Sequence, residues 1–154
     1  MKIIMESIGT IHSSFSFGDP MPVQSIEGRD IEGYIELLPE YTDGLKDLDG
    51  FSHIILLFHI HLNKKVKMQT RPFMENEYRG IFATRSPSRP NHIGMSVVRV
   101  DRVNGNRIYI RDLDIVDGTP LLDIKPYIKV INEADKVKLG WFEKHKSRDV
   151  KWHD

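Results

Sequence analysis

Cysteine is absent from all 154 residues. Structural disulfides, thiolate metal sites and a cysteine nucleophile are therefore excluded. Long apolar runs are absent too. The longest, Ile54 to Phe58, is far too short to span a bilayer, and the N-terminal Met-Lys-Ile-Ile-Met-Glu lacks a full signal-peptide core. These features predict a cytoplasmic protein with no membrane partner. No Gly-x-Gly-x-x-Gly follows a strand and no strand–helix–strand rhythm appears, which argues against a Rossmann-type fold. What remains is a chain of one-domain size with 40% hydrophobic residues, enough for a real core.

Net charge is also missing, since 22 Lys/Arg balance 22 Asp/Glu. The balance conceals an asymmetry. Residues 1–63 hold three Lys/Arg against ten Asp/Glu, whereas residues 64–90 hold seven against two. A basic segment in the middle of a neutral chain suits a polyanionic partner. Internal pairing of acidic and basic regions would produce the same pattern.

Pro, Gly and Asn divide the chain into short apolar runs. Lys2–His12, with Ile3, Ile4, Ile8 and Ile11, reads as a first strand. Ser13–Arg29 contains Gly18-Asp19-Pro20 and Pro22 and reads as a loop long enough to carry function. Tyr34–Leu38 is a second strand stopped by Pro39, and Tyr41–Gly50 has short helical character. Phe51–Leu62 is the central strand. Ile54, Leu56, Phe58 and Ile60 take one face, and His53, His59 and His61 lie with Ile55 and Leu57 on the other. Lys64–Glu77 is a polar, basic loop. Met95–Val100 and Arg107–Leu113 are strands joined through the hairpin signal Asn104-Gly105. Leu122–Ile131 is the last strand. A stripe of Ala134, Val137 and Trp141 predicts a C-terminal helix over 132–146, followed by a charged tail. Many short strands with little helix predict an all-β barrel or sandwich.

Four places carry chemistry. Gly80–Ser96 reads Gly-Ile-Phe-Ala-Thr-Arg-Ser-Pro-Ser-Arg-Pro-Asn-His-Ile-Gly-Met-Ser. Pro87 and Pro90 extend the residues before them, and Gly94 is expected to supply a backbone angle that other residues avoid. Arg85 and Arg89 present planar forks of donors, suited to an anionic ligand, although a plain surface turn has the same composition. Asp117-Gly118-Thr119-Pro120 is a turn whose carboxylate could accept ribose hydroxyls and whose amides could hold a carboxylate or an adenine edge, or a mere connection. Asp123, Lys125 and Tyr127 stand at every second position, opposite Leu122, Ile124 and Ile128. They are either a solvated face or a proton-handling set. His59 and His61 could form half of a metal site, but no third ligand stands at a convincing distance, so no metal is expected.

The run Phe82-Ala-Thr-Arg-Ser-Pro-x-Arg-Pro-Asn-x-Ile-Gly-x-Ser96 resembles a signature of the TsaA-like family of tRNA methyltransferases. Asp117-Gly-Thr-Pro-Leu-Leu-Asp-Ile-Lys-Pro-Tyr127 resembles that family's second signature. His92 departs from the pattern, where Pro is usual. The resemblance implies a compact single-sheet β-barrel with short helical additions that pairs into a homodimer. On that basis residues 1–131 form the barrel, and 132–154 form a helix and tail packed on it. Longer members add a domain after the second block, expected to be absent from the 27 residues that follow Tyr127.

The resemblance further implies S-adenosyl-L-methionine as cofactor and the exocyclic nitrogen of threonylcarbamoyl-adenosine in the tRNA anticodon loop as acceptor. It places His61, Leu62, Arg85, Met95, Asp117, Gly118, Thr119 and Pro120 beside the cofactor, with Gln24, Ser25 and Ile26 of the first long loop. It turns Asp123, Lys125 and Tyr127 into the catalytic row. Arg89, with Lys64, Lys65, Lys67, Arg71 and Arg79, would contact RNA phosphates. A rival reading from another class is a non-catalytic barrel that binds S-adenosylmethionine or a nucleotide as a sensor or RNA-binding module. A metal-dependent barrel enzyme is a third.

Overall fold

The alternation of Ile54 and Leu56 with Ile55 and Leu57 makes β3 (His53–His59) the strand around which the others assemble. Ile54 and Leu56 have no solvent exposure. β3 lies between β6 (Ile93–Asn104) and β8 (Thr119–Pro126), antiparallel to both. With β1 (Gly9–His12), β2 (Gly33–Leu37) and β7 (Arg107–Arg111) these strands close a barrel in the order β1-β2-β7-β6-β3-β8. The computed structural model describes residues 1–19, 30–73, 75–129 and 137–145. The expected helix at 132–146 falls partly outside that set. Within it, Gly140–His145 forms a 3-10 turn.

The core is the inward set of all six strands, including Ile11, Ile35, Ile54, Leu56, Val98, Ile108, Ile110 and Leu121. Each buried aliphatic side chain stabilises the fold by about 1.5–3 kcal/mol. Two local departures from the expected pattern matter for the site. First, the β3–β8 register shifts after Leu57: Phe58 pairs with Leu121 and Leu57 with Asp123. Leu122 is the extra residue of this bulge. Leu121 therefore joins Ile124 on the inward side, in place of the expected Leu122. Second, only Gly9–His12 of the expected first strand pairs, and Ile3, Ile4 and Met5 are exposed. The β6–β7 hairpin turns at Gly105-Asn106, one residue later than Asn104-Gly105, with Gly105 at φ +60°. That angle suits glycine at the first central position of a two-residue turn.

The strand directions give the barrel a distinct top. The C-terminal ends of β1, β3 and β7 and the N-terminal ends of β2, β6 and β8 meet there. The excursion from β3 to β6, residues 60–92, rises from that end. It contains a small second sheet of β4 (Gln69–Thr70), inside the expected Lys64–Glu77 loop, and β5 (Arg79–Gly80), just beyond it.

Beneath this sheet the Glu75 carboxylate is fully buried. It binds Arg79 at 2.8 Å, Lys144 at 2.7 Å and His145 at 2.6 Å, while Trp141 Nε1 donates to the Ala83 carbonyl at 2.7 Å. The cluster fastens the Gly140–His145 turn to the loop. Hydrogen bonds from His145, Lys144 and Arg79 hold the Glu75 carboxyl at about 2, below its usual 4.5. A depressed carboxyl contributes its full docking strength above its free value, and loses it as pH falls from there toward the bound value. Trp141 emission, read in a Trp152→Phe background, is therefore expected to hold from pH 7 to 5. It should shift to that of an exposed indole between pH 4.5 and 2. A shift already complete at pH 5.5 would mean that Glu75 does not hold the segment.

Candidate functional site

The first signature loop and the opening turn of the second signature, Asp117–Pro120, meet at the barrel top. Ile60 N–H donates to the His92 carbonyl at 2.8 Å, which ties the end of β3 to the start of β6. Beyond that tie lie half-buried His61 and exposed Leu62. Leu121, just past the Asp117–Pro120 turn, pairs with Phe58 on the other side of β3. His61, Leu62, Arg85 and the Asp117–Pro120 turn therefore share one end of the barrel. Gln24, Ser25 and Ile26 lie outside the described residues.

The signature loop is self-braced. Arg89 Nη1 donates to the Thr84 carbonyl at 2.9 Å and to the Ser86 carbonyl at 3.3 Å, so one arm of its fork braces the loop itself. Arg79 is likewise committed, to Glu75 and Glu77. Both arginines thus carry internal partners in addition to the contact with RNA phosphates expected of them. Lys64, Lys65, Lys67 and Arg71 stay on the exposed surface of the same excursion. The unusual backbone angles fall at Asn91 (φ 63°) and His92 (φ 50°), whereas Gly94 sits in a regular strand. A proline, fixed near −65°, could not take the angle of His92. This departure from the family pattern thus goes with a different local backbone.

The Asp117–Pro120 turn is more occupied than its composition suggests. The Asp117 and Gly118 amides donate to Phe15 O and Ile11 O at 2.8 and 2.9 Å, and the Thr119 hydroxyl donates to Val116 O at 2.7 Å. The expected amide cradle is therefore spent on the fold. Asp117 Oδ1 accepts from Ser13 N–H at 3.0 Å and lies 3.3 Å from His12 Nδ1, but the side chain remains half exposed. Its second oxygen is the group this turn offers to a ligand.

Asp114 was missed in the sequence. It lies between buried Leu113 and Ile115 and accepts a hydrogen bond from Ser96 Oγ at 2.8 Å. Burial pushes its carboxyl up, against the Ser96 hydrogen bond and the positive charge of Arg85. The carboxylate thus binds the last residue of the first signature and feels the charge of Arg85 in the same loop, just ahead of the second signature. No periodic signal marks it. The cue was an acid between two core aliphatics, which is rare without a buried partner.

A carboxyl raised by burial opposes folding when ionised, so stability is lost as pH rises through its folded value. Asp114→Asn is expected to leave the melting temperature at pH 7 unchanged or higher and, on the expectation that Arg85 lies beside the cofactor, to change cofactor affinity about tenfold by removing the charge that acts on Arg85. Thermal melts and calorimetry read the two effects. A lower melting temperature with unchanged affinity would make Asp114 purely structural.

Asp123 and Lys125 project from the outer face of β8 and pair at 2.8 Å. Across β3 the outer face continues through Leu57, paired with Asp123, to Met95, paired with Leu57. Met95 is thus two strands, about 10 Å, from Asp123. Tyr127 lies past the strand end, its N–H donating to His53 O at 3.1 Å, toward the barrel bottom. The row and Met95 share a face that within one chain opens to solvent.

An antiparallel barrel with basic loops and two signature turns at one end defines a ligand-binding barrel of non-Rossmann type. The chain belongs to the tRNA-methyltransferase O family: the family described as "tRNA-methyltransferase O N-terminal domain" matches residues 10–133. A Pyrococcus abyssi protein called "Probable S-adenosyl-L-methionine-binding protein" is 48% identical, over 94% of this chain and 79% of its own. A rat protein, "tRNA (adenine(37)-N6)-methyltransferase", is 39% identical over 82% of this chain and 31% of its own. The crystal structure of TrmO from Pseudomonas aeruginosa superposes with a TM-score of 0.74 at 32% identity. It covers 92% of this chain and 63% of that one. The chain therefore spans less than two thirds of that solved relative.

Proposed function

We propose that the protein is an S-adenosylmethionine-dependent tRNA (adenine-N6)-methyltransferase of the cytoplasm, acting on threonylcarbamoyl-adenosine in the anticodon loop. The meeting of the first signature loop with the Asp117–Pro120 turn of the second at the barrel top supports this reading. The donor set fits the cofactor. Arg85 suits its carboxylate, Asp117 the ribose hydroxyls, and Met95 and Leu62, both exposed, its apolar parts. When bound, the cofactor supplies an activated methyl group on a positively charged sulfur. Asp117 adds negative charge nearby, and His61 closes the side against β3. Lys64, Lys65, Lys67 and Arg71 engage tRNA phosphates.

The acceptor nitrogen must lose its proton, and the chain offers Asp123, Lys125 and Tyr127 for that task. They face outward beside Ile55, Leu57 and Val97, all only half-buried in one chain, and beside exposed Met95. A homodimer across this face would bring the row of one copy against the cofactor end of the other. Light scattering tests the dimer.

The deciding experiment incubates purified protein with tRNA and methyl-labelled S-adenosylmethionine, followed by nucleoside mass spectrometry. Methylated threonylcarbamoyl-adenosine is the expected product. Binding by calorimetry without transfer would favour a sensor or RNA-binding module, in keeping with the Pyrococcus abyssi relative's description as an S-adenosyl-L-methionine-binding protein. No heat at millimolar cofactor would overturn both.

A further inference from the structure

On the barrel wall away from the β3–β8 face, four side chains form one row across four strands. His12 of β1 pairs with Tyr34 of β2, Tyr34 with Tyr109 of β7, and Tyr109 with Arg102 of β6. The His12 and Tyr34 rings stack at 4.6 Å and 24°. The Tyr34 and Tyr109 centroids are 6.0 Å apart, and the Arg102 guanidinium lies 3.8 Å from the Tyr109 centroid. The row edges an open cleft of about 620 Å³. Two of the cleft's carboxylates, Glu32 and Asp101, are neutralised by Arg111 at 2.7 and 2.6 Å. Arg102 has no carboxylate partner among the described residues, so a cation stays available beside the rings. The row begins at the ligand end, because His12 Nδ1 lies 3.3 Å from Asp117 Oδ1.

We infer that this row is a stacking platform for unpaired bases of single-stranded RNA, flanking the nucleotide delivered to the Asp117 end. The inference rests on the proposed tRNA substrate and adds where the neighbouring bases lie. The Arg107 guanidinium lies 4.9 Å from the Tyr34 centroid, so a base would stack on the guanidinium planes or displace them from the rings. Either surface accepts any base, because every base has a π-face, and anticodon-loop bases can be splayed out singly. Unlike Lys64, Lys65 and Lys67, such a platform contributes affinity that salt does not screen.

The test uses a fluorescent anticodon stem–loop RNA and anisotropy at several salt concentrations, with no cofactor. Tyr34→Ala and Tyr109→Ala are each expected to weaken binding by about 5- to 100-fold, with the slope of log Kd against log salt unchanged. Tyr34→Phe and Tyr109→Phe should bind as the parent does, since the ring is kept. The alanine variants also lose cross-strand contacts, so circular dichroism is recorded for each, and Arg102→Ala, which keeps the rings, serves as the second variant. Wild-type binding that all three alanine variants retain would overturn the platform and leave the methyltransferase reading intact, the row being a sheet-stabilising ladder. A flattened salt slope in the variants would overturn it in favour of phosphate contact. Absence of wild-type binding would overturn both.

Discussion

Lys125→Ala is expected to slow single-turnover methyl transfer by about a hundredfold or more, and Tyr127→Phe by a similar factor. Both variants should keep the circular dichroism spectrum of the parent. Lys125 projects from the outer face of β8 with its ammonium on Asp123 at 2.8 Å, and neither side chain contributes to the core. Removing it should therefore cost little stability, since exposed ion pairs contribute about 0–1 kcal/mol. A large kinetic loss with an intact fold would then report chemistry. In the proposed reaction Lys125, held by Asp123, and Tyr127 position the acceptor, and the proton lost by its nitrogen passes to the Asp123 carboxylate. Asp123→Asn should do comparable damage, because it keeps the shape and removes the charge that orients Lys125. If the row acts across a dimer, dilution below the dimer dissociation constant should reproduce the Lys125→Ala defect in the wild type. Near-normal rates in all three variants would leave the row a solvated strand face.

Much of this arrangement was legible because the barrel is built from period-two strands. Ile54 and Leu56 alternate with Ile55 and Leu57, and the structure buries the first pair completely. Periodicity could not show the bulge at Leu122. A single extra residue reverses the inside and outside of everything before it, and its cause is pairing with a distant strand. The signature loop was legible as a turn, but its arginines were not separable. Arg89 and Arg79 resemble Arg85 in sequence, yet one braces carbonyls and the other a buried carboxylate. That carboxylate, Glu75, and the acid Asp114 were invisible for one reason. Each is held by residues far along the chain, His145 in one case and Ser96 in the other. Propensity and spacing report neighbours, and these sites are made of tertiary contacts.

Gly94→Ala should destabilise the barrel by about 3 kcal/mol, a fall in melting temperature of roughly 6–12 °C for a chain of this size. The reason is proximity and not backbone angle. Gly94 sits in β6 opposite Phe58 of β3, and the Phe58 ring occupies the space beside the glycine. A methyl group at Gly94 would stand 2.2 Å from Phe58 Cε2 and 2.5 Å from Cζ. No real contact is that short, and the ring is confined inside the barrel, so either the ring or β6 must shift. Shifting β6 displaces Met95 and Ser96, the next two residues, one on the outer face and the other bound to Asp114. Cofactor binding should weaken along with stability. Gly44→Ala is the control, because nothing lies within 4 Å of its added methyl group. Urea denaturation of Gly94→Ala, Phe58→Leu and the double variant gives the decisive comparison. If the ring is the obstacle, the smaller leucine relieves it, and the double variant is more stable than the sum of single losses predicts. Additive losses would mean that Gly94 is required for a reason other than the Phe58 ring.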